Sequence, residues 1–488
     1  MRRPLLTLLV LLTLLATLVA GRVAPAEAAR PAPSKQPVAV GTGGAAASVD
    51  PLATEAAIRV LRQGGNAVDA AVAAAGVLGV VEPFSCGIGG GGFMAVYTAA
   101  DQRVTTIDAR ETAPQAFEPD TFIDPATGEP IPFPERVTSG LGVGVPGTLS
   151  GWRLALERFG TMNLQRLLAP AKKLATKGFA VDETFAEQTA ANAERFRKFT
   201  STSALFLPDG EVPEVGSIFR NPALAKTYGQ IGGRGSDSFY TGRIAGAIVD
   251  AVRHPPVFPG VDDVRPGLMT RADLAAYRAP EREPAKVGYR GLEVFGMGPP
   301  SSGGSTVGES LNILEGFDLS GTSRTEALHR YLEASALAFA DRNRYLGDSD
   351  FVDVPLVGLL SDSFAAERRA LIGPTAAVKP VPPGDPTDNE GPSTTHLTVS
   401  DRWGNVVSYT FTIEQIGGSG IVVPGHGFLL NNELTDFEPV PGLANSPAGG
   451  KRPRSSMSPT IVLSEGKPLL ALGSPGGSTI ITTVLQVL

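Results

Sequence analysis

One cysteine, Cys86, and four histidines, His254, His329, His396 and His426, are all the thiol and imidazole that 488 residues contain. A lone thiol excludes an intramolecular disulfide and a cysteine-built zinc site. The histidines fall into no HExxH or other metal-binding spacing, and no G-x-S-x-G elbow supports a Ser/His/Asp triad. Basic runs are absent beyond the first residues, and 42 Lys and Arg against 49 Asp and Glu give a net charge of −7. That balance argues against nucleic acid or an anionic membrane surface as a partner and for a small molecule or peptide. No internal repeat is evident either, so the length fits one large domain or two to three ordinary ones.

What is present begins with Arg2 and Arg3, an apolar run from Pro4 to Ala20 and the small-x-small triplet Ala26-Glu27-Ala28. This predicts a secretory signal peptide over residues 1–28, with an uncleaved anchor as the competing reading. A Pro/Ala/Lys linker over 29–37 follows, and the globular part is expected from Val38. Asp50 and Pro51 open a predicted helix that Gly64-Gly65 ends, and a second helix from Ala67 to about Leu78 is alanine-rich on all faces, which suggests burial. Gly87 to Gly92 match G-x-G-x-x-G, but a helix precedes them and the hairpin "FMAVYT" and "RVTTIDA" follows, so close backbone approach is preferred to cofactor binding. Arg110 closes that hairpin; its fork suits either an ion pair or a substrate carboxylate. The middle of the chain reads as helices on a smaller sheet. There "PPSSGG" (299–304) lies between a strand at about 287–296 and a helix, as either an anion site at a helix N-terminus or a plain tight connection.

Two period-two runs, "TTHLTVS" and "VVSYTFT", flank the turn "DRWGN" and predict a hairpin. If Ser400 lies opposite Val406, Thr394 lies opposite Thr412 on the same face. Before Thr394 stands the acidic, proline-bearing segment 379–393, read as an exposed loop. A cut between Ser393 and Thr394 gives Thr394 an α-amine, which titrates near 7.7 to 8.0, beside its own hydroxyl; nucleophile and base then sit in one residue.

The ordered motifs "DPLATEAAIRVLRQGGNAVDAAVA", "GIGGGGFM", "DARETAP", "GVPGTLSGW", "PPSSGG", "TTHLTV", "LLNNELTDF", "RPRSSMSPTIV" and "GSPGGS" resemble those of the γ-glutamyltransferases, or glutathione hydrolases, of the N-terminal nucleophile hydrolase class. The resemblance runs from Val38 to the last residue. It implies an α+β fold, a four-layer αββα sandwich formed as one composite domain, and a precursor that cleaves itself before Thr394 into a large subunit (38–393) and a small one (394–488). It further implies that Thr394 attacks the γ-glutamyl amide, that Thr412 holds the nucleophile's hydroxyl, and that Gly476 and Gly477 form the oxyanion hole. Arg110, Ser455 and Ser456 would then hold the substrate α-carboxylate, and Glu433 and Asp436 its ammonium. No metal or organic cofactor is expected. The implied partners are a γ-glutamyl donor such as glutathione, with water, an amino acid or a peptide as acceptor, and the two subunits as a heterodimer. The implied location is secreted, extracellular or periplasmic.

Three departures qualify the resemblance. Glu414 stands where better-known members carry Asn, near the substrate ammonium. The segment 437–454 is shorter than in members with an active-site lid, which predicts an open site. The chain stops soon after the glycine pair, which predicts an incomplete small subunit. An acylase of the same fold acting on poly-γ-glutamate or a β-lactam side chain is one alternative; an unprocessed, inactive secreted binding protein is another.

Overall fold

A computed structural model describes residues 35–382 and 394–488. The expected signal peptide, most of the linker, and Ser393 with the segment 383–393 lie outside the described residues. Within them, twelve strands run in chain order: β1 (Gly44–Ser48), β2 (Gly91–Thr98), β3 (Arg103–Asp108), β4 (Phe179–Ala180), β5 (Ile218–Phe219), β6 (Glu281–Arg282), β7 (Ala285–Tyr289), β8 (Leu292–Gly296), β9 (Thr395–Asp401), β10 (Val406–Thr412), β11 (Thr460–Ser464) and β12 (Lys467–Leu472). They form a six-stranded sheet in the order β1-β9-β10-β2-β3-β6, a four-stranded sheet β12-β11-β8-β7, and the small ribbon β4-β5, with every pairing antiparallel.

The alternation of side chains across a strand decides how these sheets stack. Along β9 and β10, Leu397, Val399, Val407, Tyr409 and Phe411 face a core shared with the helices Ala67–Val81 and Thr148–Phe159. The opposite face of the six-stranded sheet meets the four-stranded sheet through Ala95, Tyr97, Val104, Val406, Ile461 and Leu463. Behind the four-stranded sheet, Val287, Val294 and Val462 pack with the helices Gly303–Glu315, Arg324–Tyr345 and Thr479–Val487. The result is helix, sheet, sheet, helix, as the sequence led us to expect.

Local chemistry explains the elements that support the site. Asp50 Oδ1 accepts from the backbone N–H of Leu52 (2.7 Å) and Ala53 (3.3 Å), and Pro51 needs no partner in the first turn. Asn66 and Asp69 close a capping box on the Ala67–Val81 helix, every residue of which is buried; that settles the alanine-rich run as an interior helix. In the glycine loop, a Cβ on Gly90 would lie 1.9 Å from the carbonyl oxygen of Thr412, and one on Gly91 2.3 Å from that of Ala109. Close backbone approach is thus the reason for the glycines.

The structure revises one expectation and decides another between its two readings. The strand at 287–296 is a hairpin, because Arg290 (φ +53°) and Gly291 (φ +79°) turn the chain between β7 and β8. The "PPSSGG" loop is a tight connection: Ser302 N–H donates to the Ser455 carbonyl (2.8 Å), Gly303 N–H to Ser301 Oγ (3.1 Å) and Gly304 N–H to the Met297 carbonyl (3.1 Å). Those donors at the start of the helix are spent within the protein and do not form an anion site.

Candidate active site

The β9–β10 ladder pairs Ser400 with Val406 and Thr395 with Phe411, so one residue further on Thr394 faces Thr412. Thr394 Oγ1 donates to Thr412 Oγ1 over 3.4 Å, and the Glu414 N–H donates to the same Thr412 oxygen over 2.9 Å. Both threonines are buried, and both stand on the face of β9–β10 that meets the four-stranded sheet. The hairpin therefore delivers two hydroxyls to the end of the intersheet space.

His396, two residues on, is not placed to act as their base. Its ring nitrogens lie 2.9 Å from Thr410 Oγ1 and 3.0 Å from Thr398 Oγ1, and burial pushes its pKa down to about 3. It stays neutral at any working pH. Its ring also packs so closely on Gly473 that a Cβ there would lie 2.3 Å from Nδ1. This contact seats the start of the "GSPGGS" loop on β9. Gly476 (φ +126°) and Gly477 (φ +57°) take backbone angles that disfavour L side chains, and after Ser478 the helix Thr479–Val487 begins.

Nine of the ten described residues singled out from the sequence line a single pocket: Thr394, Thr412, Gly477, Arg110, Glu414, Glu433, Asp436, Ser455 and Ser456, joined by Met457 and Ile480. Gly476 lines a second cavity of about 520 Å³, which also touches Thr394 and is bounded by Glu82, Ser85 and Gln188. No residue of 437–454 lines the first pocket.

The charged end is one unit. Arg110, 1% exposed, pairs through Nη1 with Glu433 and through Nη2 with Asp436. It also donates from Nε to the Pro453 carbonyl (3.1 Å) and from Nη2 to the Arg454 carbonyl (2.9 Å). The sequence left Arg110 open between ion pair and substrate fork; the structure shows the ion pair, made with the two acids that the resemblance assigns to the ammonium. Glu433 Oε2 has no hydrogen-bond partner among the described residues. Glu414 sits at φ +76°, in the left-handed region rarely used by a side-chain-bearing residue. Its carboxyl accepts from Gln415 Nε2 (2.6 Å) and from Asn432 Nδ2. Burial, with the nearby charge of Asp436, holds its pKa well above the usual carboxylate range.

Sequence reasoning missed the residues that brace this end. Asn432 bridges Glu414 and the Gln415 N–H (3.1 Å), and Arg195 donates to the carbonyls of Ile416 (2.6 Å) and Gly418 (2.7 Å). Asn432 lies inside the quoted "LLNNELTDF", but Arg195 is an ordinary helix residue and carries no sequence signal.

With this geometry in hand, the likeness to known proteins is specific. The family model described as gamma-glutamyltranspeptidase matches residues 53–488. The chain belongs to the gamma-glutamyltranspeptidase family. Among its relatives, the glutathione hydrolase proenzyme of Bacillus subtilis (strain 168) is 44% identical over 494 residues, covering 96% of this chain and 82% of that protein. The glutathione hydrolase proenzyme of Escherichia coli (strain K12) is 40% identical over 500 residues, covering 97% and 83%. Among solved structures, the cephalosporin acylase from Bacillus halodurans superposes with a TM-score of 0.82 at 31% identity, over 94% of this chain and 82% of that one. As a gamma-glutamyltranspeptidase family member, the chain has the two-sheet α+β architecture found in these structures. Among the described residues, no helix is long and apolar enough to cross a membrane.

Proposed function

We propose that this chain is a self-processing γ-glutamyl hydrolase and transferase, cut between Ser393 and Thr394 into a heterodimer, with Thr394 as its nucleophile. The observation that carries the reading is the meeting, in one pocket, of the Thr394–Thr412 hydroxyl pair with the Arg110–Glu433–Asp436 ion cluster. The hydroxyl pair suits acyl transfer, and the cluster suits a zwitterionic α-amino acid end.

Once cut, Thr394 has its own amine as general base. Oγ1 attacks the γ-carbonyl carbon as its proton passes to that amine. The Gly476 and Gly477 N–H groups stabilise the oxyanion, a role worth about 3 to 4 kcal/mol for one donor. Collapse breaks the C–N bond, and the leaving amine takes the proton from the Thr394 ammonium. Water or an acceptor amine then attacks the ester, its proton going to the amine, and Thr394 Oγ1 leaves with a proton. The substrate ammonium is expected at Glu433, Asp436 and Glu414, and its carboxylate at Ser455, Ser456 and Arg110. The cavity beyond Gly476 offers room for leaving group and acceptor. Export is part of the proposal and rests on the predicted signal peptide.

N-terminal sequencing and intact mass, on wild type and Thr394→Ala, test this with release from a γ-glutamyl anilide. The wild type should show a new N-terminus at Thr394; the variant should stay uncut and lose at least about four orders of magnitude in activity. An intact, inactive wild type would favour a binding protein instead. The likeness to a cephalosporin acylase keeps a second amidase reading in view. A glutaryl anilide, which carries the carboxylate without the ammonium, separates the two. The ion cluster favours the γ-glutamyl donor, and equal turnover of both would favour the acylase.

A further inference from the structure

Arg342, fully buried in the helix Arg324–Tyr345, aims at the pocket from behind. One edge of its guanidinium spans two serines: Nε donates to Ser302 Oγ (2.8 Å) and Nη2 to Ser456 Oγ (2.7 Å). Ser302 Oγ passes its own hydrogen to the Ser455 carbonyl (2.6 Å), which also accepts the Ser302 N–H (2.8 Å). Ser301 Oγ donates to the Met457 carbonyl (2.6 Å). The segment Ser455–Met457 is thus gripped on its backbone by 301–302 and on its side chain by Arg342.

The arm through Ser302 shows what a serine does in this setting: it accepts from the guanidinium and donates onward. Ser456 Oγ is the other arm, and Ser456 lines the pocket beside Thr394. An oxygen engaged by a cationic donor is fixed as an acceptor on one side and is a stronger donor on the other. A buried guanidinium is costly to desolvate, and its rigid planar edge holds two hydroxyls in one fixed geometry, which the compact, rotatable donors of an ammonium do not reproduce.

We propose that Arg342 is a positioning residue for substrate selection, orienting Ser456 as the hydroxyl donor that reads the α-carboxylate of the γ-glutamyl group. This rests on the reading above that the carboxylate sits at Ser455 and Ser456. Arg110, tied to Glu433 and Asp436, then shares the anion with a second guanidinium acting through a serine.

The test compares a γ-glutamyl anilide with a 4-aminobutyryl anilide, which lacks only the α-carboxylate, on processed wild type, Arg342→Lys, Arg342→Gln and Ser456→Ala. Arg342→Gln should lower kcat/KM for the γ-glutamyl donor about tenfold or more, mainly through KM, and change the 4-aminobutyryl donor less than about threefold. Arg342→Lys should rescue little of this loss. The Arg342→Gln, Ser456→Ala double variant should lose no more than about twofold beyond either single one, since both remove the same contact. Equal losses on both donors, no loss on either, or failure of both Arg342 variants to process would overturn the proposal. If Ser456→Ala itself leaves the ratio between donors unchanged, the carboxylate assignment has failed. If Ser456→Ala changes the ratio and Arg342→Gln does not, only the role of Arg342 has failed.

Discussion

At the nucleophile end of the pocket, Thr394 and Thr412 hold two neutral hydroxyls 3.4 Å apart on a regular hairpin, whereas at the recognition end Arg110, Glu433 and Asp436 gather opposite charges where loops meet. Hydroxyls cost little to bury, and a strand ladder positions them by register alone. Charges cost far more, and these persist as a mutually paired unit that also ties down the 453–454 backbone. Substitutions at the first end should therefore change the rate and leave the fold, while those at the second should change binding and stability together.

Gly477→Ala tests the rate side. At φ +57° an added Cβ strains the loop and shifts the oxyanion donors, so kcat should fall about a hundredfold with KM and melting temperature little changed. A KM effect alone would break the division. Arg110→Lys tests the other side: an ammonium cannot serve two carboxylates and two carbonyls in one plane, so KM should rise about tenfold and stability should drop by a few kcal/mol, seen in urea melts of the processed enzyme. A pure kcat loss would contradict it.

A third expected effect is a pH dependence. Glu111, fully buried beside Arg110, has no hydrogen-bond partner on either carboxyl oxygen among the described residues. Burial raises its pKa to about 8, against the opposing pull of Arg110. The folded chain thus holds this proton more tightly than the unfolded one. Its contribution is intact below about 4.5 and is lost as pH rises to about 8. Glu111→Gln should flatten the fall in stability across that window, by up to about 1.4 kcal/mol per pH unit, and gain relative to wild type at the alkaline side. Melting curves from pH 5 to 8.5 check the sign; parallel curves would refute it.

How much of this was legible in the sequence depends on how local the signal is. The Thr394–Thr412 pairing followed from turn length and period two, because register propagates residue by residue. The capped helix pair was readable for the same reason: Asp50 and Asn66 act within three residues. Two Gly/Ser loops, "PPSSGG" and "GSPGGS", look alike on paper and both open helices. Only the packing of Ser455 against Ser302 shows that the first is spent internally, while Gly477 reaches the pocket. The partners of Arg110 lie more than 320 residues away, and no periodicity connects them. Arg195 and Arg342 carry no motif, since their value lies in which carbonyls and hydroxyls the fold brings to them.

In the proposed reaction Thr394, and no other residue, carries the acyl group. Rapid-quench mass spectrometry of the enzyme mixed with a γ-glutamyl anilide tests it directly. A transient gain of one glutamyl residue is expected on the chain beginning at Thr394, located on the N-terminal peptide and absent in Thr394→Ala. An adduct on any other peptide, or turnover by a chain still joined at Ser393, would contradict it.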